Sequence, residues 1–195
     1  GSLIIGSNGL PLKNAEDQYI GNPYPDWISA IRNTFTFKGF SLTGLLDIRQ
    51  GGDLWGGTIG RLNRIGVTAA SANRTEAYVI PGVKADGTPN DIKISPNAYF
   101  SQYIGDGGGA QESLVYDGSW VRLREVTLTY TLPKFKKLIQ SASVYVTGRN
   151  LWLQTDYPGV DPETSLTGAG SNIGGFDYFN MPGSKSIIVG LNIGF

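Results

Sequence analysis

The stretch WISAIRNTFTFKGFSLTGLLDIR, from Trp27 to Arg49, decides the fold. Its first arm places Trp27, Ile31, Phe35 and Phe37 in one phase and Arg32, Thr34 and Thr36 in the other. Its second arm sets Phe40, Leu42, Gly44, Leu46 and Ile48 against Ser41, Thr43, Asp47 and Arg49. A period of two residues is the signature of a strand with one apolar and one polar face. Only Lys38-Gly39 separates the arms, so they form a tight hairpin. The predicted strands span 27–37 and 40–49. Each is about twice the ~5–6 residues usual in soluble proteins, and close to the ~9–11 with which a tilted strand crosses a bilayer.

Three further segments alternate in the same way, at 119–131, 141–152 and 184–195. In the first, Val121 and Leu123 share one phase while Val126, Leu128 and Tyr130 share the other. One extra residue near Arg124-Glu125, a β-bulge, restores a common face. In the second, Ala142, Val144, Val146, Gly148 and Trp152 alternate with Ser143, Tyr145, Thr147 and Arg149. In the third, Ile187, Val189, Leu191, Ile193 and Phe195 form the apolar phase.

The connections alternate in length. Lys38-Gly39 and Leu132 to Gln140 are short, whereas 50–118 and 153–183 are long. Antiparallel strands joined in sequence put both long connections at one end, with the short ones and Phe195 at the other. Residues 1–26 then lead into the first strand from the long-loop end. Outer-membrane barrels combine short periplasmic turns with long outer loops in this way. Asp53 to Ile65 can hold a short helix, which Gly56, Gly57 and Gly60 weaken.

Composition narrows the chemistry. Lys plus Arg and Asp plus Glu number 16 each, a net charge of zero. That balance lacks the basic face that nucleic-acid binding needs. Cysteine and histidine are absent, which removes disulfides, thiolate chemistry, His-ligated zinc and Ser-His-Asp catalysis. No paired-carboxylate motif appears either, so no catalytic residue, cofactor site or metal site is assigned and a non-enzymatic role is expected. "DPET" (Asp161 to Thr164) and "DGTPND" (Asp86 to Asp91) carry oxygen ligands but not EF-hand spacing, and turns explain them better.

Four stretches resemble the C-terminal region of SusC/RagA-family TonB-linked outer-membrane proteins of Bacteroidetes. They are GNPYPDW (Gly21 to Trp27) with NTFTFKGFSL and DIRQGGDLW; DGSWVRLREVTLTYTLP (Asp117 to Pro133); SVYVTGRNLWLQTDYPGVDPET (Ser143 to Thr164); and PGSKSIIVGLNIGF at the end. Together they cover most of 21–195 in the family's order, while 67–116 resembles nothing comparable. The resemblance implies an all-β fold, about five antiparallel strands of a transmembrane barrel of about 22 strands with long extracellular loops. It also implies import of glycans or peptides, energy passed from TonB, and a SusD-like lipoprotein acting as a lid. The plug, the TonB-contacting segment and the signal sequence are expected in preceding sequence. Implied partners are the rest of the barrel, the plug, the lid lipoprotein, the TonB complex and outer-membrane lipid, with no nucleic acid. The implied location is the outer membrane of a Gram-negative bacterium.

Individual residues follow from this frame. A terminal aromatic at Phe195 is expected to serve as an assembly signal. Trp27, Phe37, Phe40, Tyr130 and Trp152 sit near strand ends, where aromatic rings suit the membrane interface. Asp47, Arg49, Arg122, Arg124, Glu125 and Arg149 interrupt apolar strands and are expected to point into the lumen or lie near an interface, because a midplane Arg facing lipid costs ~2–4 kcal/mol; there they pair with one another or with plug residues, or one or two of them meet substrate. Trp55, Tyr99, Tyr103, Tyr157, Phe176 and Tyr178 lie in the long loops. There they either meet ligand or lid, or pack the loops into a cap. The alternative from another class is a soluble all-β carbohydrate-binding module. Such a sandwich buries the apolar strand faces in a dry core, whereas a barrel wall leaves them uncovered in the isolated chain.

Overall fold

The computed structural model describes residues 1–108, 111–133, 139–167 and 173–194. In chain order its strands are β1 (Ile4–Ile5), β2 (Trp27–Phe37), β3 (Phe40–Gln50), β4 (Asp53–Gly56), β5 (Val83–Lys84), β6 (Val115–Asp117), β7 (Trp120–Thr131), β8 (Ser141–Thr155), β9 (Phe176–Asp177) and β10 (Ser186–Gly194). The five long strands form one antiparallel sheet in the order β10-β8-β7-β3-β2, so every neighbour in sequence is a neighbour in space. β8 extends three residues past the expected 152, and β10 starts two residues after the expected 184. Both differences lie at the long-loop end. Phe195 and part of the 132–140 connection lie outside the described residues.

The hairpin turn follows from Lys38 and Gly39, which both have positive φ, 44° and 85°. Two left-handed residues match the right-handed twist of the flanking strands, and glycine adopts the second conformation without a Cβ penalty. Register then carries each phase across the sheet. Phe35 faces Leu42, Leu42 faces Leu128, Leu128 faces Val146, and Val146 faces Val189, one apolar row through five strands. The next row is Thr34, Thr43, Thr127, Thr147 and Ile188 on the opposite face. Its threonines pair by hydroxyl hydrogen bonds, Thr34 with Thr43 at 2.9 Å and Thr127 with Thr147 at 2.8 Å. Such cross-strand pairs are the unit of sheet stabilisation.

Register shifts between Leu45 and Leu46 against β7, and between Leu123 and Glu125 against β8. Arg124 is therefore the extra residue that brings Leu123 and Val126 onto one face. β8 answers with Asn150, whose φ is 51°.

Among the described residues the apolar face of the sheet is uncovered, and burial within the sheet is confined to Trp120, Arg122 and Thr147. Phe35, Leu42, Val144, Val146, Val189, Leu191 and Ile193 are all exposed, and Leu46 is half-buried. The hydrophobic cluster among the described residues lies elsewhere, around Ile5, Ile80 and Ile94, with Leu3, Leu10, Tyr78 and Tyr99 against it. β1 and β5 pair in parallel there, joining the first residues to the middle of the 50–118 connection. The sheet is a wall, and the long connections form a separately packed cap at one end of it.

Candidate functional site

The cap is built from both long connections. β4 pairs antiparallel with β6 and in parallel with β9, so residues 53–56 and 176–177 share one small sheet. The expected short helix forms as α1 (Gly57–Arg64). Gly60 faces Leu114 so closely that a Cβ there would lie 2.8 Å from Leu114 Cδ1. Glycine thus weakens the helix on its own but permits its packing.

Polar groups lock the two connections together. Thr58 Oγ1 donates to Asp177 Oδ1 at 2.9 Å, and Tyr157 donates its hydroxyl to Asp177 Oδ2 at 2.5 Å. The Phe179 backbone N–H donates to Thr58 Oγ1 at 2.7 Å. Arg61 bridges Asp106 at 2.8 Å and donates to the Tyr178 hydroxyl at 2.8 Å. Burial pushes the Tyr157 hydroxyl well above the ordinary tyrosine range, and the bond to Asp177 pushes it further. Burial raises Tyr116 as well.

The inner end of the cap meets the polar face of the wall. Arg122 Nη2 donates to Asp161 Oδ1 at 2.6 Å, with both side chains about 95% removed from solvent. Glu163 lies 3.3 Å from Arg122 and 2.7 Å from Arg124. Arg124 also holds Asp47 at 2.8 Å. Both guanidinium groups stand over the Trp120 ring, at 5.6 and 5.5 Å from its centroid. A guanidinium can serve carboxylates in its plane and an aromatic ring on its face at once, which lysine cannot. Further down, Arg149 pairs with Glu125 at 3.2 Å. Arg49 instead donates to the Pro23 carbonyl at 2.7 Å.

Pairing therefore accounts for five of the six charged residues singled out in the strands, and backbone accounts for Arg49. Sequence reading missed the partners Asp161 and Glu163. The signal was present: DPET forms an Asx turn, in which the Glu163 N–H donates to Asp161 Oδ1 at 3.1 Å. That turn leaves the second oxygen of Asp161 for the Gly183 N–H. DGTPND likewise makes an Asx turn from Asp86 to the Thr88 N–H at 2.9 Å.

The loop aromatics fall into two groups. Tyr157 is buried, and Trp55 packs between Phe176 and Tyr178, at 5.9 and 6.1 Å between ring centroids. Tyr99 stacks on Tyr78 at 4.3 Å, with Tyr103 at its edge. Phe176, Phe179, Tyr19 and Tyr24 expose the most surface on this end, the last two from the segment before β2. Along the wall, Phe37, Phe40 and Tyr130 occupy one register row at the hairpin end, with the Phe40 and Tyr130 rings 4.5 Å apart. Trp27 and Trp152 are exposed toward the cap end.

No protein-family model matches the chain. Over an alignment of 199 positions that spans 98% of the chain, it is 29% identical to TonB-dependent receptor P3 of the Bacteroidetes bacterium Formosa agariphila, of which it covers 18%. It is 28% identical over 205 residues to TonB-dependent receptor P26 of the same organism, covering 20% of that protein. The chain thus spans about a fifth of the length of the curated relatives it matches. Among solved structures, the RagAB peptide importer in the open-open state matches 99% of the chain with a TM-score of 0.63 at 20% identity, over 20% of that chain. A RagAB peptide transporter structure matches 81% with a TM-score of 0.53 at 22% identity, over 16% of that chain. Sequence and fold agree with the SusC/RagA resemblance, and the antiparallel sheet matches a fragment of such a barrel.

Proposed function

We propose that this chain, a relative of the TonB-dependent receptors, forms part of the wall and outer cap of an outer-membrane importer. The observation that carries this reading is the five-stranded sheet with one polar face and one apolar face left uncovered among the described residues. In water the apolar rows would be a large exposed patch, whereas against lipid they are buried. The polar face lines the passage, and β2 and β10 continue into neighbouring strands of the same barrel. A soluble carbohydrate-binding sandwich is not favoured, because its defining feature is a second sheet packed on the first.

The rest of the barrel supplies the plug and the contact with the TonB complex. The cap faces outward and meets a SusD-like lipoprotein that closes over captured glycans or peptides. Phe176 and Tyr178 with Trp55, the buried Tyr157, and the separate cluster of Tyr99 and Tyr103 make the cap rigid enough to present such a surface. Trp27 and Trp152 mark one membrane interface, and Phe37, Phe40 and Tyr130 mark the other. Phe195 is the assembly signal. No enzymatic step is assigned.

The test uses the full-length protein in its own outer membrane. Cysteines introduced singly at Val189 and at Asp86 should react differently with a membrane-impermeant maleimide on intact cells. Asp86 should label and Val189 should not. Labelling of Val189 from water, or of Asp86 only after the cells are opened, would sink the proposal.

A further inference from the structure

The cap contains a cleft that neither the wall nor the ion cluster uses. It lies between the end of α1, the turn at Ala69–Ala72 and the segment from Pro96 to Phe100, and has a volume of about 200 Å³. Phe100 and Ser71 line it as buried residues, while Arg64, Arg74 and Asn97 line it as exposed ones.

Positive charge at this cleft is under-compensated. Arg74 donates from Nη2 to the Gly66 carbonyl at 2.6 Å and makes no ion pair among the described residues. The nearest acid in sequence, Glu76, accepts the Asn73 side-chain amide at 3.0 Å instead. Arg64 lies 3.7 Å from Asp106 Oδ1, while Arg61 holds the other oxygen of that carboxylate at 2.8 Å. Two guanidinium groups thus border one cavity, Arg74 with no carboxylate and Arg64 sharing Asp106 with Arg61. The bond to Gly66 fixes the Arg74 fork in advance, which lowers the entropy lost when it takes a ligand. Guanidinium groups recognise planar or tetrahedral oxyanions through paired N–H donors, and the Asn97 amide adds a neutral donor.

We propose that this cleft is an oxyanion subsite, taking a carboxylate, sulfate or phosphate group of a soluble ligand that reaches the cap. The cleft is built wholly from the 50–118 connection, away from the apolar rows of the wall. The choice of a soluble source rests on the importer reading; anion binding itself does not.

Purified full-length receptor in detergent would be titrated calorimetrically with sodium sulfate, sodium phosphate and sodium acetate, with sodium chloride holding ionic strength constant. A parallel arm would use vesicles containing lipopolysaccharide. Saturable binding of at least one salt is expected, weakened on the order of tenfold in Arg64→Gln/Arg74→Gln. In the unaltered receptor, the bound salt should slow phenylglyoxal modification of Arg64 and Arg74 but not of Arg32, which needs no variant to fold. No saturable binding, or protection of neither arginine, overturns the inference. Binding to the vesicles alone, lost in the double variant, overturns it in favour of a lipid phosphate. Failure of the outward-facing labelling at Asp86 would sink the importer reading while leaving the salt titration to stand or fall by itself.

Discussion

Arg122 and Asp161, 39 positions apart in sequence, meet through a 2.6 Å hydrogen bond with almost no contact with water. The pair pins the 153–183 connection to the polar face of the wall. Breaking a buried pair by removing one partner leaves an uncompensated charge and costs about 3–5 kcal/mol. Arg122→Ala and Asp161→Ala should each lower the denaturant midpoint of the folded receptor in detergent. The double replacement Arg122→Met/Asp161→Leu should recover much of that loss, because no orphan charge remains. A double variant as unstable as the sum of the singles would show that desolvated charge is not the cause.

Leu128 and Thr127 are adjacent in β7 and point to opposite faces. Leu128→Arg should reduce stability in lipid vesicles by ~2–4 kcal/mol if its row lies near the midplane. Thr34→Arg, on the polar face, should cost much less, since it loses only a hydroxyl bond to Thr43. Equal costs at the two positions, measured by reversible unfolding from vesicles, would contradict the assignment of the faces.

Alkaline pH should loosen the cap. The Tyr157 hydroxyl is held neutral far above its ordinary value, first by burial and then by Asp177. The unfolded cap releases this proton from about pH 10 upward, while the folded cap keeps it. The unfolded state then binds fewer protons, so stability is full below pH 10 and falls as pH rises beyond it. Limited proteolysis of the cap should accelerate above that pH. Tyr157→Phe should flatten part of the dependence, with Tyr116 and Tyr99, both raised by burial, contributing to the remainder. An unchanged profile in Tyr157→Phe would exclude this tyrosine as the source.

Asn150 takes the left-handed conformation that completes the double bulge, and donates from Nδ2 to the Ser184 carbonyl at 3.0 Å. Asn150→Gly keeps the conformation and loses the bond. Asn150→Val loses the bond and adds the strain of a branched residue at positive φ, about 1–2 kcal/mol. Val should therefore be the more damaging replacement in the same unfolding assay. Equal damage by the two replacements would mean that the amide, not the backbone, sustains the bulge.

The wall was legible in the sequence because each strand writes its own period. Lys38-Gly39 announced the turn, and the phase slip at Arg124-Glu125 announced the bulge. The answering irregularity at Asn150 was not legible, since it breaks no alternation that Trp152 could not rejoin. The charged residues were readable as a group that must pair, but Asp161 and Glu163 lie across the fold and no local pattern links them to Arg122 and Arg124. The cap was illegible for the same reason. Its order rests on contacts such as Thr58 with Asp177, 119 positions apart, and on a parallel pairing of β4 with β9 that strands this short do not encode.

The separation of wall and cap leads to a last prediction about assembly. The turn at Asp86-Gly87 is exposed, Gly87 has a φ of 82°, and a Cβ built there meets nothing. Its bonds are local: the Thr88 N–H donates to Asp86, and the Lys84 N–H donates to the Thr88 carbonyl. A peptide tag inserted after Asp86 should therefore leave the Ile5, Ile80 and Ile94 cluster intact and the five-stranded sheet untouched. Exposed turn tips are the sites where chains tolerate insertion. Deleting Phe195, in contrast, should lower the amount of protein that reaches the outer membrane, as the proposed role of this aromatic as an assembly signal requires. Both variants can be scored in one experiment, by antibody access to the tag on intact cells and by the heat-modifiable fraction on gels. Tagged receptor should match the parent in folded amount, and the Phe195 deletion should fall well below it. If tagging blocked assembly while loss of Phe195 changed nothing, the cap rather than the final strand would govern barrel formation, and both assignments would have to be exchanged.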